Sequence, residues 1–257
     1  MFPAQRRARI IEHLRLQDAA TVRDLSERIG ISLSTVRRDI DYLCETGHLE
    51  RTHGGAMLKP TMRAGFEPAQ DIAEAMASEQ KRAIGRHAAT LITPGQSVIF
   101  DSGSTTAAAA AAAGERDTPF YAATNDLRIG LILGQRPHIG VSVASGQVRP
   151  GSATLYGAGA ADFFSRLHAD IAFIGVHGIF DTVLTDTTPE IADLKRLVLP
   201  AADRIVLLAD SSKFELRAFC AFGRMADIDL VITDSGLSDV HRASIESAGA
   251  TVEIANA

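Results

Sequence analysis

The sequence predicts an α/β protein in two unequal parts: an N-terminal winged helix-turn-helix domain over residues 1–57, a linker over 58–77, and a larger, mostly parallel α/β domain over 78–257. Three observations predict it. Residues 6–45 carry apolar side chains at helical spacing in three short runs, and a strand-like segment closed by Gly54 and Gly55 follows them. From Met57 to about Ala77 the chain offers Pro60, Gly65 and Pro68 with no sustained apolar period, the mark of a boundary between cooperative units. Beyond it, short apolar runs alternate with helical patterns, which calls for a parallel sheet covered on both faces.

In the first helix, Ile10, Ile11 and Leu14 define one face over Arg6 to Leu16. Thr21 can cap a second helix with Val22, Leu25 and Ile29 inward, and Gly30 supplies the permissive backbone that ends it. Ser32 caps a third, in which Val36, Ile40 and Leu43 face the core while Ser34, Thr35, Arg37 and Arg38 stand on the exposed leading edge. Leu49 to His53 reads as a short strand and Gly54-Gly55 as a hairpin tip. Such a motif sets the start of its second helix in the major groove of double-stranded DNA, where hydroxyls and guanidiniums meet base edges and phosphates. Charge agrees: residues 1–63 hold eleven Arg and Lys against eight Asp and Glu, a balance of +3 inside a chain of net −5, so a polyanion partner belongs to this segment.

In the second part, Ser78 is expected to cap a helix carrying Ile84, Ala88 and Leu91 and ending before Pro94-Gly95. The runs SVIF, FYAAT, GVSVA, IAFIGV, RIVLLAD, LVITD and TVEI read as buried strands. Stretches near 105–113, 126–134, 158–168, 190–202 and 238–248 read as helices. Ligands of such sheets gather at the carboxyl ends of the strands. There the polar punctuation falls: Asp101 to Thr106, Thr124-Asn125, Ser145-Gly146 with Arg149, Gly175 to Gly178 around His177, and Asp210 to Lys213.

The stretch DSGSTTAAAAAAAG, 101–114, has the chemistry of an anion cradle. Gly103 lets the backbone approach a ligand, Ser102, Ser104, Thr105 and Thr106 offer hydroxyls, and a helix starting near Thr105 turns free N–H groups outward. The alanines are explained by helix propensity and close packing alone. The segment lacks the lysine and spacing of a nucleotide-binding P-loop, which disfavours ATP or GTP.

Composition excludes other classes. No apolar run approaches the ~18 residues of a membrane span, and the start of the chain lacks a signal-peptide pattern, so a cytoplasmic protein is expected. Cys44 and Cys220, far apart and in apolar contexts, read as packing residues, and no metal-ligand spacing surrounds the eight histidines, so neither metal nor cofactor is expected.

The segment STVRRDIDYLCETGHLERTHGGA, 34–56, resembles the recognition helix and wing of DeoR-type bacterial transcriptional regulators. The resemblance continues through DSGSTT, the Thr-Asn pair at 124, GVHGI at 175–179, EIADLK at 190–195 and ADSSKF at 209–214. It implies a sensor domain similar in fold to ribose-5-phosphate isomerase, and a homo-oligomeric repressor, dimer or tetramer, of a sugar or polyol operon that leaves its operator when a phosphorylated sugar or polyol binds. Arg37 and Arg38 would then meet the operator with Ser32, Ser34 and Thr35, and Arg51 and His53 would touch it from the wing. The effector would meet Asp101 to Thr106, Thr124, Asn125, Gly146, Arg149, His177, Asp210 and Lys213, with Lys81 and Lys195 weaker contributors. The alternative is an isomerase, which needs a carboxylate base. Isomerases of that fold carry AspGlyAlaAspGlu where this chain has GlyValHisGlyIle, so no catalytic residue is assigned. A Gly-x-Ser-x-Gly hydrolase elbow is also absent.

Overall fold

The structure, a computed structural model, describes residues 1–59 and 70–256. The chain divides into two compact units, Met1–Met76 and Ala77–Ala257. Pro60, Gly65 and Pro68 lie outside the described residues.

The first unit runs α1 (Pro3–Gln17), β1 (Ala19–Thr21), α2 (Val22–Ile29), α3 (Leu33–Glu45), β2 (Leu49–Thr52), β3 (Gly55–Leu58) and α4 (Gln70–Ala75). Both expected caps form: Thr21 Oγ1 accepts from Asp24 N at 3.1 Å and Ser32 Oγ from Thr35 N at 3.3 Å, each relieving a donor the helix leaves unsatisfied. Gly30 ends α2 in the left-handed region at φ 75°. β1, β3 and β2 form an antiparallel sheet in that order, the last two being the wing hairpin. Ile10, Ile11, Leu14, Leu25, Val36, Ile40 and Leu43 make the core. Part of the stretch read as linker is helical: α4 lays Ile72, and Met76 just after it, into that same core.

The second unit opens with α5 (Ser78–Thr90), β4 (Ser97–Phe100), α6 (Ser104–Gly114), β5 (Phe120–Thr124), α7 (Leu127–Gly134) and β6 (Ile139–Val143). A short hairpin follows, β7 (Gln147–Val148) and β8 (Leu155–Tyr156), then α8 (Ala158–Ser165), β9 (Ile171–Gly175), β10 (Gly178–Phe180), β11 (Val183–Asp186) and α9 (Pro189–Val198). The unit closes with β12 (Ile205–Leu208), β13 (Cys220–Arg224), β14 (Leu230–Asp234), α10 (Asp239–Ser247) and β15 (Thr251–Ala255). Ser78 does not cap α5. It is the first helical residue, and Ala77, in the left-handed region at φ 47°, occupies the cap position without a side-chain bond.

Seven strands pair in parallel in the order β15-β14-β12-β9-β4-β5-β6. The chain builds outward from β4 to β6, then returns to the other flank of β4 with β9 and builds outward to β15. The order therefore reverses between β4 and β9, and such a reversal leaves a crevice at the carboxyl ends of the two strands. One face of the sheet buries Ile84, Ala88, Ala109, Ala113, Ile129 and Leu133 from α5, α6 and α7 around Phe100 and Phe173, whose ring centroids are 5.3 Å apart. The other buries Phe164, Ala192, Val198 and Ile245 from α8, α9 and α10. The alanines of α6 let α5 come close: a Cβ at Gly85 would stand 2.6 Å from the Ala108 carbonyl carbon. Outside the parallel sheet, β10, β11 and β13 form an antiparallel sheet that sequence periodicity did not announce. No helix among the described residues is long and apolar enough to cross a membrane.

Candidate functional site

Two sites, one in each unit, collect the residues singled out from the sequence. In the first unit, Ser32, Ser34, Arg37 and Arg38 are exposed on the opening turns of α3, and Thr35 is half-buried. Ser32 Oγ lies 3.0 Å from Ser34 Oγ and 2.9 Å from Thr35 Oγ1, so the hydroxyls form one cluster around the cap. Arg51 on β2 pairs with Asp41 of α3 and donates to the Arg37 carbonyl at 3.5 Å, which ties the wing to the helix. His53 is exposed in the turn between β2 and β3.

A support that the sequence reading missed lies beneath α3. Asp39 is buried, accepting from Arg6 Nε at 2.8 Å and Arg7 Nε at 3.2 Å, and the Arg7 guanidinium sits 3.4 Å from the centroid of the Tyr42 ring. A buried carboxylate without partners would be very costly, so this clamp holds α1 on α3. The signal was present: Val36, Asp39, Ile40 and Leu43 share one face at helical spacing, and a carboxylate on an apolar stripe requires a cation.

In the second unit the crevice at the order reversal is lined from β4 and β9. Asp101, 1% exposed, follows β4 directly; its Oδ2 accepts from Gly175 N at 3.1 Å and pairs with Lys195. Lys195 comes from the inner face of α9 and is 2% exposed. Its Nζ also donates to the Gly175 carbonyl at 2.9 Å, lies 3.5 Å from Asp186 Oδ2 and stands 5.4 Å from the Phe222 ring centroid. Burial pushes the Asp101 carboxyl up from its ordinary pKa, against the downward pull of Lys195 and the Gly175 N–H. The lysine thus locks the end of β4 to the end of β9.

Past Asp101, Ser102 is buried and Gly103 takes φ 149°, a backbone that side chains rarely adopt. Ser104, Thr105 and Thr106 form the first turn of α6, whose start carries no side-chain cap. Thr106 Oγ1 is turned inward onto the Gly103 carbonyl at 2.9 Å. An uncapped helix start presents backbone N–H groups and the positive end of the helix dipole, the arrangement that receives a phosphate.

The other expected residues flank this loop at strand ends. Thr124 is fully buried and its Oγ1 accepts from Asp126 N at 3.0 Å, so that hydroxyl shapes the turn into α7. Asn125 Nδ2 donates to the Leu155 carbonyl at 3.2 Å, whereas its buried Oδ1 has no partner among the described residues. A side chain at Gly146 would run into the Tyr156 carbonyl, a packing reason for glycine there. Arg149 donates to Thr187 Oγ1 at 3.1 Å, beside Asp186. His177 is half-buried just after β9. Asp210, 2% exposed, follows β12; its Oδ1 accepts from Ser212 N at 3.2 Å and its Oδ2 has no partner among the described residues. Burial would raise the Asp210 carboxyl, but the charges of Lys213 and Lys81 and the Ser212 bonds outweigh it and hold it below the ordinary range. Hydrogen bonds and ion pairs thus join Asp101, Gly175, Lys195 and Asp186 directly, and the charges of Lys213 and Lys81 act on Asp210.

The two units match known domains. Residues 6–61 match the DeoR-like helix-turn-helix domain and residues 76–235 the DeoR C terminal sensor domain. The HTH-type transcriptional regulator GlpR of Haloferax volcanii is 36% identical over 98% of this chain and 98% of its own. GolR of Listeria innocua is 32% identical over 99% and 100%, and the transcriptional repressor GlcR of Bacillus subtilis 31% over 91% and 89%. Among solved structures, ribose 5-phosphate isomerase A of Methanocaldococcus jannaschii aligns over 53% of this chain and 54% of that one, at 18% identity and a TM-score of 0.40, a likeness too slight to bear on function. With both domain types matched in order along one chain, the protein belongs to the DeoR family of transcriptional regulators.

Proposed function

We propose that the protein is a cytoplasmic repressor of a sugar or polyol catabolic operon that leaves double-stranded operator DNA when a phosphorylated sugar or polyol occupies the crevice between β4 and β9. The observation that carries this reading is the uncapped start of α6 at that crevice, behind a glycine at φ 149° and among hydroxyls. Residues 1–57 serve as the reader and 78–257 as the sensor. Ser32, Ser34, Thr35, Arg37 and Arg38 face the major groove, with Arg51 and His53 on the wing. Gly103 to Thr106 receive the phosphate, Lys213 balances its charge, and Asp210 and Asn125 bind hydroxyl or amide groups through the oxygens that lack protein partners. Relatives named as regulators and repressors over nearly their full length support the same reading.

The protein acts as a homo-oligomer, because half-sites repeat about every 34 to 36 Å and a dimer rotated slightly out of that register loses both contacts. Effector binding shifts the equilibrium towards such an arrangement by its differential affinity for the two states.

Binding without turnover fits the side chains better than isomerisation. GlyValHisGlyIle offers no carboxylate, and Asp210 is held below its ordinary pKa, the wrong direction for a base. Asp101 is raised, but its Oδ2 is engaged by Lys195 and Gly175 N.

A thermal-shift screen of sugar and polyol phosphates against their unphosphorylated parents tests the sensor. A specific ester at a hundred times its Kd is expected to stabilise the sensing unit by about 2.7 kcal/mol, with no shift from its parent. Equal shifts from both would remove the phosphate from the account, and saturable isomer exchange of the ester followed by NMR would make the protein an enzyme.

A further inference from the structure

The parallel sheet of the sensing unit ends in β15 on one side and β6 on the other. β15 carries Glu253, whose carboxylate pairs with His87 of α5. β6 reads Ile-Gly-Val-Ser-Val in unbroken register with β5, and from Ile139 to Val148 the chain has no charged residue and no proline. Natural sheets blunt their edges with charge, proline or a bulge, and an edge that has none of them is a template for another strand. Ala144 N donates to the Thr124 carbonyl, so the even-numbered residues of β6 face β5, and Val141 and Val143 turn their N–H and C=O groups out of the sheet. The Ile139 carbonyl points the same way, while its N–H closes the preceding turn onto the Arg136 carbonyl at 3.1 Å. No strand among the described residues meets this outer side of β6.

Both flanks of the edge are apolar. On one, α7 presents Leu127 and Leu131, one turn apart and exposed, and Gly130 admits Val143, whose Cγ2 would stand 2.7 Å from a Cβ placed there. On the other, Tyr121 of β5 lies over Gly140 and is 68% exposed. Between Phe120 and Val148 the charges are Asp126 and Arg128, which pair with each other, and Arg136 beyond the end of α7. The exposed parts of Tyr121, Leu127, Leu131 and Val143 leave on the order of 400 Å² of apolar surface beside the strand, a patch of the size that marks an interaction site and about half of the roughly 800 Å² each partner gives to a standard interface. Depletion of charge around exposed aromatic and aliphatic side chains is the composition of an interface core.

We propose that β6 pairs with β6 of a second copy of this chain, antiparallel about a two-fold axis through Val141, so that two seven-stranded sheets become one. A second copy is the occupant because the edge is complementary to itself. With Val141 on the axis, that residue exchanges both outward bonds with its own copy, and the Val143 N–H donates to the partner's Ile139 carbonyl. The side chains of Ile139, Val141 and Val143 all stand on the α7 side of the sheet, so valine meets valine on the axis and isoleucine meets valine on either side of it, apolar pairs throughout. This rests on the homo-oligomer reading above and deepens it, since it names the surface that joins two copies. It does not depend on what the effector crevice binds.

The test is the mass of the full chain by analytical ultracentrifugation at micromolar concentration, for wild type, Leu131→Glu and Val141→Pro. Leu131 is exposed, so glutamate there brings charge to the flank without touching the fold. Proline at 141 removes an N–H that faces away from β5, which an edge strand tolerates, and with it the bonds on the axis. Wild type is expected as a dimer or a pair of dimers, and each variant at half the wild-type mass with an unchanged circular dichroism spectrum. A monomeric wild type overturns this pairing and the homo-oligomer reading together. An oligomer that keeps its mass in both variants, or in Val141→Pro alone, overturns the β6 pairing and leaves the homo-oligomer standing on another surface. If Val141→Pro does not fold, amide hydrogen exchange decides in its place: the Val141 and Val143 amides are expected to exchange at least tenfold faster in Leu131→Glu than in wild type, and equal rates overturn the pairing.

Discussion

Lys195→Met is expected to destabilise the sensing unit by about 3–5 kcal/mol, because it removes one partner of a buried ion pair and takes from the carboxylates of Asp101 and Asp186 the ammonium they share. Methionine keeps most of the volume of the lysine stem, so the loss is electrostatic and carries a pH signature. Burial already raises Asp101 above its ordinary value, and Lys195 is the main force pulling it back. Without that pull its pKa in the folded protein rises further. The folded state then binds more protons than the unfolded state from about pH 4 upward, and stability falls as pH rises through that window. Acid should therefore restore part of what the substitution removes until general acid unfolding intervenes. Denaturant unfolding of wild type and variant at a series of pH values checks this. The double variant Lys195→Met/Asp101→Asn should recover much of the loss, since it removes the stranded charge. A Lys195→Met protein as stable as wild type at neutral pH would show that this lysine does not hold the site together.

Arg37→Ala with Arg38→Ala is expected to weaken operator binding by roughly 30-fold to more than 10⁴-fold, taking ~1–3 kcal/mol for each guanidinium lost from a base or phosphate. Both side chains are exposed on α3, so the melting temperature should scarcely move. Titrations at several salt concentrations divide the two kinds of contact. Loss of phosphate contacts lowers the salt slope by about one for each arginine, whereas loss of base contacts leaves the slope and relaxes the preference for operator over random DNA. Undiminished retention in a gel shift would remove these residues from the reader. Asp39 carries a different expectation, since it stands on the buried face of α3 and acts through the Arg6 and Arg7 clamp.

Much of this was legible in the residue pattern. Val36, Ile40 and Leu43 placed α3, Ser32 and Thr21 announced their caps, and the alternation beyond residue 97 placed the strands of the parallel sheet. The antiparallel sheet was not legible, because β10, β11 and β13 are three to five residues long and β13 joins the β10–β11 hairpin from more than thirty residues further along the chain. Within the stretch read as linker, α4 contributes only Ile72 to its face, too little for a period to show.

The charges of greatest consequence shared one misleading feature. Lys195 follows Ile191 and Leu194 and precedes Val198 on α9, Lys81 shares a face with Ile84, Gly85 and Ala88 on α5, and Asp39 lies with Val36, Ile40 and Leu43 on α3. Each is a charge on an apolar stripe. The common reading of a lone helix lysine is a solvated side chain, yet these positions turn inward by spacing alone. What spacing could not supply was the partner: Asp101 is 94 residues from Lys195 in sequence, and only the reversal of strand order between β4 and β9 brings them together.

The central claim is that a phosphate ester, sensed at the start of α6, releases the reader from DNA. Fluorescence anisotropy of a labelled operator bound to the full chain tests it most directly, with the ester identified by thermal shift titrated against its dephosphorylated parent. The ester should release the operator from wild type, the parent should not, and Ser104→Ala or Lys213→Ala should bind operator normally while needing more ester. Release by the parent at the same concentration, or retention of the operator at saturating ester, would contradict the account.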